Sequence, residues 1–330
     1  MPINVEQIWT KIKLPVVAAP MFLISGPKLV IECCKQGIIG TFPALNQRDT
    51  AGFEAWVVEI KDALAAYELE TGKKAAPFGV NLIVHKTNPR LQADLEICVK
   101  HKVPIIITSL GAVSDLVDTV HGYGGIVWHD VVNSRHARKA QTAGVDGLIL
   151  VCAGAGGHAG TLHPIPFVNE IKSFFDGMIL LSGCLSTGGD IASAMQIGAD
   201  FAYLGTRFIN SEESRADDDY QQMIIDSGAS DIVYTAAVSG VPANFLGASL
   251  EAMGITKELW GQKAKVDFGS ELDAAKAEAK AWKTIWSAGQ GVTSIKDVKS
   301  VGALVSQWKR EFTSAIKRQI ETLNQFGSDV

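Results

Sequence analysis

A loop with four glycines around one histidine is the strongest chemical signal in this sequence. It runs from Cys152 to Thr161, contains His158, and directly follows an apolar run over residues 145–151. Glycine allows the backbone to approach a ligand closely, and loops at the carboxyl ends of parallel strands carry the chemistry of many α/β proteins. Because an imidazole ionises near neutral pH, His158 is a candidate acid or base. The alternative is a surface turn with an incidental histidine.

Two more glycine loops follow later apolar runs. The first contains Ser182 and Gly183, and the second contains Gly205 and Thr206. Loops after the last two strands of a barrel often bind phosphate through backbone N–H groups. Their order therefore predicts a site for a phosphorylated cofactor or substrate. No spacing of histidines and carboxylates indicates a set of metal ligands, so we predict no metal.

Strand-like runs alternate with amphipathic helical patterns over the first two thirds of the chain. This alternation indicates parallel strands joined by right-handed helical crossovers. Eight such runs favour an α/β fold of the (β/α)₈ TIM-barrel type, with a doubly wound open sheet as the alternative. The predicted strands are 15–19, 38–42, 78–83, 104–109, 125–129, 145–151, 178–182 and 199–204.

The pattern changes after residue 211. An acidic, turn-prone stretch is followed by helical patterns at 220–227 and 270–286. We therefore expect residues 212–284 to form a mainly helical subdomain inserted over the barrel mouth. The barrel itself would consist of residues 1–211 and 285–330, and two final helices, 295–308 and 311–326, would close its wall.

Three residues of the inserted region are candidates for the substrate site. Loops above a barrel often carry specificity, which would place Tyr234, Ser239 and Asn244 in the pocket. Ordinary packing within the subdomain is the alternative for each of them.

Composition excludes several classes of protein. The chain has 330 residues, 47% of them hydrophobic and 20% charged, with a net charge of −5, as expected of a globular protein. It has no basic stripe for nucleic acid and no apolar run long enough to span a bilayer. The first residues do not resemble a signal peptide, so we expect a cytoplasmic protein.

Five cysteines, none in a Cys-x-x-Cys pair, argue against both a disulfide framework and a structural zinc site. We expect reduced thiols in the core. Cys152 and Cys184 lie at predicted strand ends, so a reactive role is the alternative for these two.

Several short motifs carry a family resemblance when they are taken in order. They are Pro20-Met21, Gly79-Val80-Asn81, residues 155–160 around His158, Ser182-Gly183, residues 205–208, and residues 286–291. This ordered set, which extends over nearly the whole chain, resembles the nitronate monooxygenases, a family of FMN-dependent barrel enzymes. NADH:quinone reductases and an FMN-dependent enoyl-[acyl-carrier-protein] reductase are similar too.

The resemblance implies FMN as the cofactor. Its phosphate would contact the loops of Gly183 and Gly205, its ring would lie near Pro20, and a turn at 288–291 would cap it. The implied contacts are Ala19, Pro20, Met21, Asn81, Gly157, Ser182, Gly183, Gly205, Thr206, Ala288, Gly289, Gln290 and Gly291.

Two positions depart from the common pattern of the family. Residues 18–20 are Ala-Ala-Pro, where many relatives have Gln-Gly-Gly, so the loop beside the flavin should differ. His129 and Asp130 stand where some relatives carry a lysine near the cofactor. Either could contact the flavin, although Asp130 could instead cap the helix that begins near Asn133.

His158 matches the active-site histidine of the family. The resemblance implies that alkyl nitronates reduce the flavin by one electron and that O₂ then completes their conversion to carbonyl compounds and nitrite. His158 would extend this activity to nitroalkanes by removing the α-proton. The alternatives are an NAD(P)H-dependent flavin reductase acting on quinones or enoyl thioesters, and a barrel that binds FMN or a phosphorylated metabolite without catalysis. A homodimer is left open.

Overall fold

Eight parallel strands close into a barrel in a computed structural model that describes residues 8–85, 87–111, 114–238, 240–262 and 285–327. The strands of the described part are β1 (Val16–Ala18), β2 (Ile39–Pro43), β3 (Phe78–Ile83), β4 (Ile105–Ser109), β5 (Ile126–Val131), β6 (Gly147–Val151), β7 (Gly157–His158), β8 (Met178–Ser182), β9 (Phe201–Leu204), β10 (Ile232–Thr235) and β11 (Ala243–Leu246). The closed order is β1-β2-β3-β4-β5-β6-β8-β9. The predicted TIM barrel and all eight of its predicted strands are therefore confirmed.

Helices connect consecutive strands of the barrel, and further helices follow its last strand, β9. They are α1 (Pro27–Gln36), α2 (Thr50–Thr71), α3 (Leu91–His101), α4 (Ser114–Gly122), α5 (Ser134–Thr142), α6 (Pro164–Lys172), α7 (Gly188–Gln196), α8 (Thr206–Ile209), α9 (Asp218–Asp226), α10 (Gly247–Ala252) and α11 (Val301–Phe326). Within the described residues, no helix has the length and apolar character needed to cross a membrane.

The end of the chain forms one continuous helix, α11. The prediction of two separate helices was wrong, because Lys309 and Arg310 between them are good helix formers and neither glycine nor proline interrupts the segment.

Alternation along the strands divides the core into two clusters. Side chains such as Val17, Ile105, Trp128 and Phe201 fill the interior of the barrel. Their neighbours on the same strands face outward and pack against the helices, as Val127 does on β5. Since successive side chains of a strand point to opposite faces, this division assigns an inner or outer position to every strand residue.

The region after residue 211 contains a small sheet as well as helices α9 and α10. Strands β10 and β11 form an antiparallel hairpin, and β7 from the histidine loop pairs with β11 as the third strand. The sequence analysis did not predict this hairpin. Most of the helix predicted at 270–286 lies outside the described residues.

Helix α11 packs closely on the start of α7 and thereby closes the barrel wall. Gly188 donates its N–H to Glu311 Oε2 over 2.6 Å, and Trp308 Nε1 donates to Ser186 O over 2.9 Å. A Cβ atom at Gly188 would lie 2.6 Å from Glu311 Cβ and 2.7 Å from Phe312 N. The two helices can therefore approach this closely only with glycine at position 188.

Replacing Gly188 by alanine should lower the free energy of unfolding by about 1–3 kcal/mol, because the added methyl group forces α11 away from α7. Chemical denaturation of both proteins measures this difference. Gly189→Ala is the matched control, since its Cβ would meet only Thr187 Oγ1, at 3.6 Å. The control should be neutral or slightly stabilising. Equal unfolding free energies for the two variants would contradict a close contact between Gly188 of α7 and helix α11.

Candidate active site

A cavity of about 1190 Å³ lies at the carboxyl ends of the barrel strands. Every predicted catalytic or cofactor-binding residue lines it except Ala288, which is buried, and Gln290, which is exposed. The predicted residues brought together there are Ala19, Pro20, Met21, Asn81, His129, Asp130, Gly157, His158, Ser182, Gly183, Gly205, Thr206, Gly289 and Gly291.

The glycine loops pack backbone against backbone at one side of this cavity. A Cβ atom at Gly289 would lie 2.5 Å from Gly154 O and 2.8 Å from Gly156 N. Gln290 N–H donates to Gly154 O over 2.9 Å, and Gly289 N–H donates to Thr206 Oγ1 over 2.9 Å. These contacts connect the histidine loop, the turn at 288–291 and the loop after β9, and a side chain at Gly289 would separate them.

Gly183, Gly205 and Thr206 form what we call the phosphate cradle, after the role that the sequence analysis predicts for their loops. Gly183 has a φ of 128°, which side-chain-bearing residues rarely adopt. A Cβ atom at Gly205 would lie 3.7 Å from Ala19 Cβ and 3.9 Å from Met21 Sδ, so this glycine faces the loop after β1 at van der Waals distance. Among the described residues, neither glycine N–H makes a loop, turn or cap hydrogen bond outside the strand ladders. Since Thr206 Oγ1 accepts from Gly289, its own hydrogen is left to donate into the cavity.

His158 is held by the hairpin of the inserted region. On β7 it pairs with Ala243 of β11. Asn244 Nδ2 donates to Ala155 O over 2.7 Å, and the Tyr234 hydroxyl donates to Ala159 O over 3.0 Å. Tyr234 lines the cavity, whereas Asn244 is buried and supports the loop. Ser239, the third candidate of this region, lies outside the described residues.

The surrounding protein makes the His158 imidazole neutral at physiological pH. Desolvation within the cavity wall lowers its pKa to about 4. The side chain nevertheless remains accessible through the cavity. A neutral imidazole in this position can accept a proton from a ligand in the cavity.

His129 and Asp130 occupy opposite faces of β5. Asp130 follows the inner alternation of Ile126 and Trp128, whereas His129 follows the outer one. His129 Nδ1 lies 2.8 Å from Thr108 Oγ1, and burial lowers the pKa of His129 to about 4. The alternative role of Asp130 as a helix cap is wrong, because Asn133 itself caps α5 by accepting the His136 N–H over 2.9 Å.

Four inward-facing residues form what we call the cavity floor: Asn81, Ser109, Asp130 and Tyr203, from β3, β4, β5 and β9. Asn81 Nδ2 donates to Ser109 Oγ over 2.8 Å, and Ser109 Oγ donates to Asp130 Oδ2 over 2.5 Å. The sequence analysis missed Ser109 and Tyr203. Strand alternation was the available signal, since each is an inward residue at a carboxyl strand end.

Asn46 is another residue that the sequence analysis missed. Its side chain accepts the Leu23 N–H over 2.9 Å and donates to Met21 O over 3.0 Å and to Ser25 O over 2.7 Å. Leu23 has a φ of 63°, so this loop after β1 needs such support. No local pattern marks Asn46, because its partners are distant in sequence.

The two cysteines near the site remain thiols. Cys152 is buried, and desolvation raises its pKa to about 12, whereas Cys184 lines the cavity and has its pKa raised by burial. Because the thiolate is the reactive form, both environments disfavour the alternative of a reactive cysteine. In the described part of the chain, no cluster of His, Cys, Asp and Glu could hold a metal ion.

Comparison with known proteins assigns a family. The family model for nitronate monooxygenase matches residues 45–311. A nitronate monooxygenase of Paraburkholderia phytofirmans is 25% identical over 95% of this chain and 95% of its own. An octahydroindene-carboxyl-CoA dehydrogenase of Rhodococcus jostii is 25% identical over 72% of this chain and 63% of its own. A nitroalkane oxidase structure from Streptomyces ansochromogenes matches with a TM-score of 0.78 and 21% identity, over 94% of this chain and 99% of that one. This chain is an oxidoreductase that belongs to the nitronate monooxygenase family.

Proposed function

We propose that this protein is an FMN-dependent nitronate monooxygenase, which oxidises alkyl nitronates with O₂ to carbonyl compounds and nitrite. The observation that carries the proposal is the position of Gly183, Gly205 and His158 around one cavity at one end of the barrel. An anion-binding loop pair and a proton acceptor thus face the same space, as a flavin and its substrate require. Membership of the nitronate monooxygenase family supports the same reaction.

The residues present fit FMN. The phosphate cradle offers backbone N–H groups that make no loop or turn hydrogen bond within the described residues, together with a hydroxyl donor, and these suit a phosphate dianion. The cavity, at about 1190 Å³, exceeds the range of about 300–1,000 Å³ that is typical of ligand and cofactor sites and leaves room for a substrate. Ala19 and Met21 lie beside Gly205, so the ring would extend from the cradle along the loop after β1.

His158 would act on neutral nitroalkanes by accepting their α-proton. The C–H bond breaks, its electron pair moves into the nitro group to give the nitronate, and the proton is transferred to the imidazole. When bound, FMN supplies the electron-transfer chemistry. A substrate that enters as a nitronate does not need the proton transfer.

A second candidate is an NAD(P)H-dependent flavin reductase that acts on quinones or enoyl thioesters. The similarity to a CoA dehydrogenase favours it. Anaerobic mixing with NADH separates the two functions: rapid bleaching of the flavin absorbance supports the reductase, and turnover of a nitronate with O₂ and without NADH supports the monooxygenase.

The phosphate cradle can be tested by Gly205→Ala. At a φ of −107° and with 3.7 Å to the nearest heavy atom, the methyl group fits the FMN-free protein. It projects toward Ala19 and Met21 at the cavity wall, which bound FMN would contact, so FMN affinity should fall by about 10-fold or more, or roughly 1.4 kcal/mol. Quenching of flavin fluorescence in a titration measures this affinity.

Gly122→Ala is the matched control for this titration, since no heavy atom lies within 4 Å of its Cβ and it is not among the cavity residues. It should bind FMN as the wild type does. A wild-type protein without flavin absorption bands would refute FMN as the cofactor, and unchanged affinity in Gly205→Ala would refute the cradle.

His158→Asn should separate the two classes of substrate. Turnover of a neutral nitroalkane should fall by about 10²–10⁴-fold because its base is lost, while a preformed nitronate is affected much less and FMN stays bound. Steady-state assays with both forms of one nitroalkane measure this. Since the pKa of His158 is about 4, nitroalkane turnover by the wild type should decline only as the pH falls toward that value.

His163→Asn is the matched control, because His163 accepts the Ile165 N–H as the cap of α6 and asparagine can do the same. Its turnover of both substrates should equal that of the wild type. Equal losses with nitroalkane and nitronate in His158→Asn would remove the assignment of a proton acceptor.

A further inference from the structure

The most unusual group of the cavity floor is the carboxyl of Asp130. It stands at the inner face of β5, above Trp128 in the apolar interior of the barrel, and it lines the cavity. A carboxylate in such surroundings is costly unless a cation or several hydrogen-bond donors compensate its charge.

The hydrogen bonds around Asp130 form a chain of donors that all point toward its carboxyl group. The Asn81 amide donates to Ser109 Oγ over 2.8 Å, so the Ser109 hydroxyl turns its hydrogen to Asp130 Oδ2, at 2.5 Å. Asn81 also donates to Ile107 O over 3.2 Å, which holds this amide orientation. Asp130 is therefore the final acceptor of the chain, with one neutral hydrogen bond to stabilise its charge.

No cation compensates this carboxyl within the part of the chain that the structure describes. Tyr203 on β9 faces it, and burial together with Asp130 keeps that phenol protonated. His129 on β5 faces outward and is neutral near pH 7. His136 and Lys139 of α5 also line the cavity; they act on His129 and are not among the groups that shift the pKa of Asp130. Desolvation accordingly raises the pKa of Asp130 to about 6.

We propose that Asp130 is the charge-setting residue of the cavity floor, whose ionisation opposes negative charge on the ligand above it and so sets the pH dependence of flavin reduction. The inference rests on the proposed binding of FMN. As a neutral acid, Asp130 can donate a hydrogen bond into the cavity, and as a carboxylate it repels an anion there.

The balance of protons and electrons defines the expected effect. With Asp130 already protonated, two-electron reduction of FMN to its anionic hydroquinone consumes two electrons and one proton. With Asp130 ionised, the added charge on the flavin raises the proton affinity of the carboxylate, so the same two electrons bring in a second proton, which is bound by Asp130. Reductant, as dithionite or an electrode with mediators, supplies the electrons in the test below.

The midpoint potential of the flavin-loaded wild type should therefore fall more steeply with pH above about pH 6 than below it. The added slope should be about 30 mV per pH unit, the value for one proton in a two-electron couple. Asp130→Asn, which keeps an acceptor for Ser109 but has no ionisable proton, should lack this added slope and have the higher potential at pH 8. Spectroelectrochemical titration from pH 5 to pH 8.5 measures both proteins.

Asp62→Asn is the matched control, because it removes an exposed carboxylate on α2 that does not line the cavity. Its potentials should follow those of the wild type. Equal slopes in wild type and Asp130→Asn, or a wild type with no change of slope, would overturn the inference while leaving FMN binding intact. A wild type that retains no FMN would overturn the proposed function and this inference with it.

Thermal unfolding of the FMN-free protein tests the same group without the cofactor. Because folding raises the pKa of Asp130 from 3.8 to about 6, its contribution to stability is lost as pH rises through that interval. Asp130→Asn should therefore melt at a higher temperature than the wild type at pH 8, with a smaller difference at pH 4. A wild-type melting temperature that exceeds the variant's by the same amount at both pH values would show that Asp130 does not titrate in this range.

Discussion

The functional end of the barrel depends on close backbone contact at three glycines. Gly289 of the turn at 288–291 lies against Gly154 and Gly156 of the histidine loop, where a Cβ atom would come within 2.5–2.8 Å of their backbone atoms. Thr206 joins the same contact by accepting the Gly289 N–H. The phosphate cradle and the histidine loop therefore have a fixed relation to each other, because there is no side chain between them to adjust.

The described segment after residue 211 contributes to this arrangement directly. Its β10–β11 hairpin takes the short strand β7 as a third member, and this pairing orients His158 toward the cavity. Asn244 and Tyr234 add hydrogen bonds to the same loop. The hairpin thus supports the candidate base, so that changes there would affect both the shape of the pocket and the position of the imidazole.

The cavity combines neutral imidazoles with one buried carboxyl. Desolvation keeps His158 and His129 unprotonated near neutral pH and raises the pKa of Asp130. All three shifts have the same physical cause, which is that burial disfavours whichever form carries the charge. The charge at the cavity floor therefore depends on Asp130 and on the ligands that enter.

Local patterns in the sequence determined the eight barrel strands, their order and the glycine loops at their ends. These features depend on periods of two and 3.6 residues and on glycine, which act over a few positions. Tertiary structure alone decided the pairing of β7 with β11, the support of the β1 loop by Asn46, and the meeting of Asn81, Ser109 and Asp130. Those contacts join segments far apart in the chain, and only closure of the barrel brings such segments within hydrogen-bonding distance.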